Sequence, residues 1–244
     1  MQAVNLNAPN DAPLMLRLRP LNGADELSIG GDTLADAVAL LTRVSDRSDL
    51  DRLSISQIDR GLAAFYRTIY GDKADCRATC ASCSEVYEFA LSLPEIIRTQ
   101  DMDRDALPDQ NGLMTMPDGT RLRAPVVADL TEADALFDRL VVEGQSTPQE
   151  IEAFLERNAP VLSLDIDAVC PHCEAKAVVR FDLSGYLMKR LIAERAFLVR
   201  ETHLLASRYH WSHAEIMALG REDRRAYAGL IETERAKLSR RQLA

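Results

Sequence analysis

The sequence predicts an α+β fold in which short strands flank two cysteine pairs and helices lie before and after them. The pairs are Cys80-Ala-Ser-Cys83 and Cys170-Pro-His-Cys173. Each pair, or knuckle, has the Cys-x-x-Cys spacing that lets two thiolates point at one ion from a tight turn. Alternating apolar runs adjoin both knuckles, whereas helical periodicity dominates beyond residue 184.

Together the knuckles offer four soft ligands, the number that a tetrahedral structural zinc site takes. Three neighbouring runs have strand character: 86–91, 161–166 and 177–181. Strands and knuckles in this order are typical of a zinc ribbon. We therefore expect a structural Zn²⁺ held by Cys80, Cys83, Cys170 and Cys173 in a split ribbon, with 86 residues between Cys83 and Cys170.

Three other interpretations of the thiols stay open: a redox pair, a disulfide, or thiols without metal. A redox pair normally opens a helix, and neither knuckle begins a helical pattern. Cys76 is a fifth thiol that either packs nearby or replaces one ligand. The residue after a knuckle is often Gly, which adopts left-handed backbone angles easily, but here it is Ser84 or Glu174.

The chain divides at the knuckles into three predicted segments: an N-terminal arm and helices (1–75), the ribbon with its insert at 84–169 (76–184), and a C-terminal helical unit (185–244). Before the first knuckle, Ile58, Leu62, Phe65 and Ile69 predict a buried helical face that ends at Gly71.

Local signals organise the insert. Pro117-Asp118-Gly119 predicts a hairpin turn. Two helix starts are predicted at Thr131-Glu132-Ala133-Asp134 and at Thr147-Pro148-Gln149-Glu150, the second with a capping box and Pro at the first helical position. We see no internal repeat in the sequence beyond the knuckles themselves.

The C-terminal unit begins with apolar residues at helical spacing from Leu187 to Tyr209, which predict one long amphipathic helix of about six turns. Ser212-His213-Ala214-Glu215 predicts another capping box, preceded by Trp211. Gly220 ends that short helix, and a last helix is predicted from Arg221 to Leu238.

Charge is distributed unevenly along the chain. Residues 185–244 hold 12 Lys/Arg against seven Asp/Glu, whereas residues 1–184 hold 17 against 31, within a net charge of −9. An acidic body makes nucleic acid an unlikely partner because phosphate contacts need clustered cations. The chain has no run of about 18 apolar residues and no signal-peptide pattern, so we expect a cytoplasmic protein with no membrane partner.

No catalytic motif is evident. The sequence lacks a glycine-rich phosphate loop and a Gly-x-Ser-x-Gly elbow, and it holds only four histidines. A catalytic zinc keeps one position open, whereas four cysteines close the predicted site. We therefore expect no enzyme and no small-molecule substrate.

Several stretches in order resemble one family over roughly residues 55–240, the zinc-ribbon relatives of the phage T4 baseplate hub assembly chaperone. These relatives are encoded beside contractile tails and tail-like injection systems. The matching stretches are Phe65–Gly71, Cys76–Cys83, Glu85–Phe89, Leu122–Pro125 with Asp129-Leu130, Val169–Cys173, Glu201–Leu205, Tyr209–Ile216 and Arg224–Tyr227.

The resemblance implies a small cytoplasmic assembly factor or chaperone that binds baseplate or tail proteins. The C-terminal unit is the candidate partner-binding end, with Trp211, Arg224, Arg225 and Arg235 as candidate contacts. The rival interpretation is a zinc-ribbon nucleic-acid or transcription adaptor, because the helices on either side of Gly220 resemble a helix-turn-helix.

Overall fold

A computed structural model describes residues 1–9, 11–131 and 136–242, and it shows helices mixed with small antiparallel sheets. The described strands are β1 (Gln2–Asn5), β2 (Met15–Leu18), β3 (Lys73–Thr79), β4 (Val86–Ser92), β5 (Leu113–Thr115), β6 (Arg121–Arg123), β7 (Val141–Glu143), β8 (Ser163–Val169) and β9 (Lys176–Asp182). The described α-helices are α1 (Gly23–Leu27), α2 (Leu34–Val44), α3 (Ile55–Tyr70), α4 (Leu93–Met102), α5 (Leu136–Leu140), α6 (Pro148–Asn158), α7 (Leu183–Ala193), α8 (Arg195–Tyr209), α9 (His213–Ala218) and α10 (Arg221–Gln242).

The largest core lies around α3, between the N-terminal elements and α7. The predicted stripe packs inward, since Ile58, Leu62 and Phe65 are fully buried. Ser54 caps α3 through a reciprocal capping box with Gln57, and Gly71 at φ 82° ends it. The N-terminal hairpin of β1 and β2 and helix α2 pack on this core, so the described part of the first fifty residues belongs to the main body.

Two equivalent units, which we call the repeats, carry the knuckles. The first repeat is β3, β4 and α4, and the second is β8, β9 and α7. Each is an antiparallel hairpin with seven paired positions, followed at once by a helix. The second repeat begins 90 residues after the first, from Lys73 to Ser163, and every strand boundary keeps that offset. The expectation that nothing repeats beyond the knuckles is wrong, because whole hairpin–helix units repeat.

A separate small core lies between the repeats. The sheet β5-β6-β7 and helix α6 bury this set of residues: Met114, Met116, Leu122, Leu140, Ile151 and Leu155. The predicted turn joins β5 to β6, with Gly119 at φ 89° donating its N–H to the Met116 carbonyl at 2.9 Å. Thr147 caps α6 as predicted. The helix start predicted at Thr131–Asp134 has Glu132, Ala133 and Asp134 outside the described residues.

The C-terminal elements differ from the single long helix that the sequence predicts. The helix breaks at Glu194 into α7 and α8. The physical reason is that the two halves bury different faces: Leu187 and Leu191 face the main core, whereas Leu198 and Leu205 join a separate core with α9 and α10. The predicted boundary at residue 185 therefore falls inside the main core. Among the described residues, no helix combines the length and apolar character that crossing a bilayer requires.

Asp59 of α3 connects the main core to the second repeat. Its carboxylate is 5 % exposed and accepts a hydrogen bond from the Leu162 N–H at 2.6 Å. Burial, with a smaller contribution from the charge of Asp182, raises the pKa of Asp59 from 3.8 to about 7. The folded state thus retains a proton that the unfolded state releases near pH 4. The contribution of Asp59 to the free energy of unfolding is therefore fully present below pH 4 and is lost as the pH rises towards 7.

Replacing Asp59 by Asn should remove this pH dependence, because the amide is neutral and its oxygen still accepts the Leu162 N–H. We expect the stability of the wild type relative to Asp59→Asn to fall between pH 5 and 7, by up to about 1.4 kcal/mol per pH unit. Denaturant unfolding at each pH measures this difference. Asp51→Asn, which removes an exposed carboxylate, is the matched control and should follow the wild type. A constant difference between wild type and Asp59→Asn would contradict the prediction.

Candidate metal centre

The two knuckles form the same turn at the tips of the two hairpins. In the first, the Cys80 N–H donates to the Glu85 carbonyl and the Ser84 N–H donates to the Cys80 carbonyl, both at 2.9 Å. In the second, the Cys170 N–H donates to Ala175 and the Glu174 N–H donates to Cys170, again both at 2.9 Å. These bonds orient both thiols of each knuckle toward the same side.

The structure brings together the four predicted thiols, which we call the four-cysteine cluster: Cys80, Cys83, Cys170 and Cys173. Their Sγ atoms all lie within 4.8 Å of one another. The Cys80–Cys173 sulfur distance is 3.6 Å and the Cys83–Cys170 distance is 3.8 Å. Four sulfurs about 2.3 Å from a central zinc stand roughly 3.8 Å apart, so a metal ion such as zinc fits the cluster. A disulfide needs about 2.05 Å and is not formed.

Exposure differs among the four thiols. Cys80 and Cys170 are buried, Cys83 is half-buried and Cys173 is exposed. Backbone N–H groups of Cys83 and Ser82 donate to the Cys80 thiolate and lower its pKa to about 6. The thiolate is the form that binds metals, so the knuckle turn favours Cys80 as a ligand at neutral pH. In the cluster without metal, the Glu85 N–H lowers the pKa of Cys83, but burial and the neighbouring thiols outweigh it and raise that pKa.

A small apolar core made by both hairpins packs against the four-cysteine cluster. Tyr87 of β4 and Ala168 of β8 are buried there, with Phe89 and Val179 packed against them. One face of each hairpin therefore packs toward the other hairpin. This packing holds the two knuckles in register even though they belong to different parts of the sequence.

Cys76, the predicted alternate ligand, lies apart from the cluster. It is buried in β3 within the main core, and its Sγ lies 3.7 Å from the Ala74 carbonyl oxygen. Burial raises the pKa of the Cys76 thiol, which disfavours the thiolate. Cys76 is therefore not one of the four thiols that converge, which disfavours the alternate-ligand interpretation.

Ser84 and Glu174 occupy the position where knuckles often carry glycine. Their φ angles are 61° and 59°, in the left-handed region. Both repeats therefore adopt the usual knuckle backbone with a side chain that this region disfavours. The side chains at these two positions therefore carry a local conformational cost, but both knuckle turns still form.

The candidate partner-binding residues have different environments. Trp211 is half-buried and packs against Tyr209 and Tyr227, with ring centroids 5.0 and 5.2 Å away. Arg225 and Arg235 are exposed. Arg224 is 1 % exposed and pairs with Glu26 and Glu201 at 2.7 and 2.6 Å. Its prediction as a surface contact is wrong, because these carboxylates hold the guanidinium inside the protein.

Comparison with family models, with curated proteins and with solved structures finds no match to this chain. The geometry of the cysteines is therefore the structural basis for interpreting the site. Within the described residues, these four cysteines are the group of metal-ligating side chains that converges closely enough to hold an ion.

Replacing any one of Cys80, Cys83, Cys170 or Cys173 by Ser should release bound metal and lower the free energy of unfolding by several kcal/mol, on the order of 4. The reason is that three thiolates bind zinc more weakly than four, and metal binding contributes to folding. Elemental analysis and denaturant unfolding of protein purified under reducing conditions measure both effects. Cys76→Ser is the matched control and should keep the metal. Loss of metal from Cys76→Ser but not from Cys80→Ser would contradict this ligand set.

Ser84→Gly and Glu174→Gly should each stabilise the metal-bound protein by roughly 0.5–1 kcal/mol, because glycine adopts the left-handed angles without a Cβ clash. Ser84→Ala and Glu174→Ala are the controls, since alanine keeps the Cβ and should give no gain. Thermal unfolding with metal supplied compares the four variants. Equal stability of the glycine and alanine variants would show that the knuckle backbone carries no such cost.

Proposed function

We propose that this chain is a non-enzymatic assembly factor or chaperone for the baseplate or tail of a contractile phage tail or tail-like injection system. A structural Zn²⁺ bound by the four-cysteine cluster holds its fold. The observation that carries the metal part of the proposal is the convergence of four thiols, two from each repeat, within 4.8 Å. The class of partner is proposed from the family resemblance of segments that follow one another in the same order between residues 55 and 240.

The chemistry of the cluster supports a structural role for the metal. Four cysteine thiolates fill all positions of a tetrahedral ion, so no position remains for water or substrate. Zn²⁺ bound there would cross-link the tips of the two hairpins. The chain's own contribution is to position the thiols, through the knuckle turns and the small apolar core beneath them.

The proposed partner-binding surface lies on the C-terminal helices. Trp211, Tyr209 and Tyr227 form an aromatic group, and the neighbouring Leu230 is 57 % exposed. Exposed Arg225 and Arg235 lie on the same helix as Leu230. Aromatic and arginine side chains of this kind are the usual anchors of protein interfaces. Arg224 is not included, because it is buried.

The nucleic-acid adaptor is the weaker candidate because of where the arginines at the start of α10 lie. In a helix-turn-helix, α10 would present the cations at its start to the DNA. Arg221 and Arg224 are instead buried against Glu26 and therefore cannot contact phosphate in this conformation. The acidic balance of residues 1–184 opposes phosphate binding as well.

Capture of purified baseplate and tail proteins by the immobilised chain tests the proposal. We expect one of them to bind, and the double variant Arg225→Ala/Arg235→Ala to bind roughly tenfold more weakly, because two exposed charges contribute up to about 1 kcal/mol each. Arg77→Ala/Arg98→Ala, which removes two exposed arginines from the first repeat, is the control. Metal content and helicity should be unchanged in both.

Two results would contradict the proposal. One is that none of the baseplate and tail proteins binds, while duplex DNA binds with an affinity that falls steeply with salt, which would favour the adaptor. The other concerns the surface alone: full-strength capture of the partner by Arg225→Ala/Arg235→Ala and by Trp211→Ala would place the binding surface elsewhere in the chain.

A further inference from the structure

The C-terminal helices form a body with its own apolar core, which we call the arm: residues 195–242. Its core contains this set of buried residues: Leu198, Leu204, Leu205, Ile216, Met217, Ala228 and Ile231. This core is separate from the main core around α3. The arm is covalently joined to the main body through Glu194, the residue between α7 and α8.

Charged side chains of the arm pair with Glu26 of α1 and with Glu194 at the joint. Glu26 of α1 pairs with Arg221 at 3.0 Å and with Arg224 at 2.7 Å. At the joint, Glu194 pairs with Arg221 and, at 3.0 Å, with Arg225. Arg224 also pairs with Glu201 inside the arm at 2.6 Å. We call these six side chains the latch: Glu26, Glu194, Glu201, Arg221, Arg224 and Arg225.

The latch is buried except at Glu194, which is half-buried, and at Arg225, which is exposed, and its buried part is incompletely satisfied. The Glu26 and Arg221 side chains are each 8 % exposed. Arg221 Nε and Arg224 Nη1 are buried and have no hydrogen-bond partner among the described residues. The desolvation of buried charges offsets most of their mutual attraction, and an unsatisfied donor adds to that cost. The contact is therefore specific in geometry and contributes little net stability.

The remaining contacts between the arm and α1 combine a close backbone approach with hydrogen bonds, among them that of the Arg195 guanidinium to the Leu27 carbonyl at 2.7 Å. Gly23 allows a close approach, since a Cβ there would lie 3.0 Å from Met217 Sδ and 3.1 Å from Arg224 Nη1. The Arg221 N–H donates to the Leu21 carbonyl at 2.9 Å. An apolar core on each side of a charged contact is the arrangement of two bodies that can separate without unfolding.

We propose that the arm undocks from α1 as one body, pivoting at Glu194 while its own core stays folded, and that the latch holds it in the closed position. This motion is a property of the chain alone and does not depend on the function proposed above. Undocking breaks the contacts of Glu26 with Arg221 and Arg224 and the hydrogen bond from Arg221 to Leu21. It leaves the Glu201–Arg224 pair within the arm intact.

Hydrogen exchange of the wild-type protein gives the first test. Three backbone amides report on three events: Arg221 on undocking, Leu205 on unfolding of the arm, and Leu62 on unfolding of the main core. We expect the Arg221 amide to exchange at least about tenfold faster than the other two after correction for intrinsic rates. Exchange of Arg221 only at the rate of Leu62 would overturn the proposal, because the contact would then open only in global unfolding.

Two variants test the latch by different routes. Glu26→Gln removes the anion between two buried arginines and should accelerate exchange of the Arg221 amide on the order of a hundredfold. Gly23→Val inserts a side chain against Met217 without changing any charge, and it should accelerate the same amide. Glu222→Gln, which removes an exposed carboxylate beside Arg221, is the control and should have no effect.

In both variants the Leu205 and Leu62 amides should stay at least about tenfold slower than the Arg221 amide, because the arm and the main core remain folded when the contact opens. Exchange of all three amides at one common rate would overturn the proposal, because it would show that arm and body unfold as one cooperative unit. An unchanged Arg221 rate in a folded variant would overturn it as well. If one variant fails to fold, the other variant and the wild-type rates still decide the outcome.

Discussion

The rest of the structure depends on one constraint: the tips of two hairpins that begin 90 residues apart must meet so that four sulfurs lie within 4.8 Å. Closing so long a loop costs conformational entropy, which other contacts must offset. The main core supplies them, because Leu93 and Leu183, the first residues of α4 and α7, are both fully buried in it. The Asp59–Leu162 hydrogen bond adds a second tie. The sulfurs thus meet where packing has already placed both hairpins.

The two repeats also explain the internal symmetry of the four-cysteine cluster. Exchanging the repeats converts Cys80 into Cys170 and Cys83 into Cys173. The 3.6 Å sulfur pair then becomes the 3.8 Å pair, since each joins the first thiol of one knuckle to the second of the other. Each repeat provides two of the four thiols and part of the apolar core beside them. A single repeat has two thiols and one unsupported hairpin face, so neither half of the site is complete alone.

Sequence reasoning succeeded where the signal is local. The knuckles, the hairpin turn at Gly119 and the capping box at Thr147 each depend on residues a few positions apart. It failed where the partner is distant: the arginines of α10 have the pattern of an exposed face, but the Arg224 partner Glu26 lies 198 residues away. The repeat was detectable, because aligning the knuckles superposes Ala78 on Ala168 and Leu93 on Leu183. The sequence does not indicate the break at Glu194, because its apolar spacing continues through it.

Apolar contacts and charged contacts have different roles in this chain. Apolar side chains build each core, whereas polar side chains join some of the cores to their neighbours. Asn158 at the end of α6, for example, accepts hydrogen bonds from the N–H groups of Asp105 and Ala106, which follow α4 of the first repeat. Within a core, many weak contacts must break together, which makes it cooperative. A charged contact between two cores, in contrast, opens when only a few groups separate, and water solvates those groups well. The four-cysteine cluster lies over an apolar core that shares Phe89 with the main core, so apolar packing rather than a polar joint connects its sulfurs to the rest of the fold.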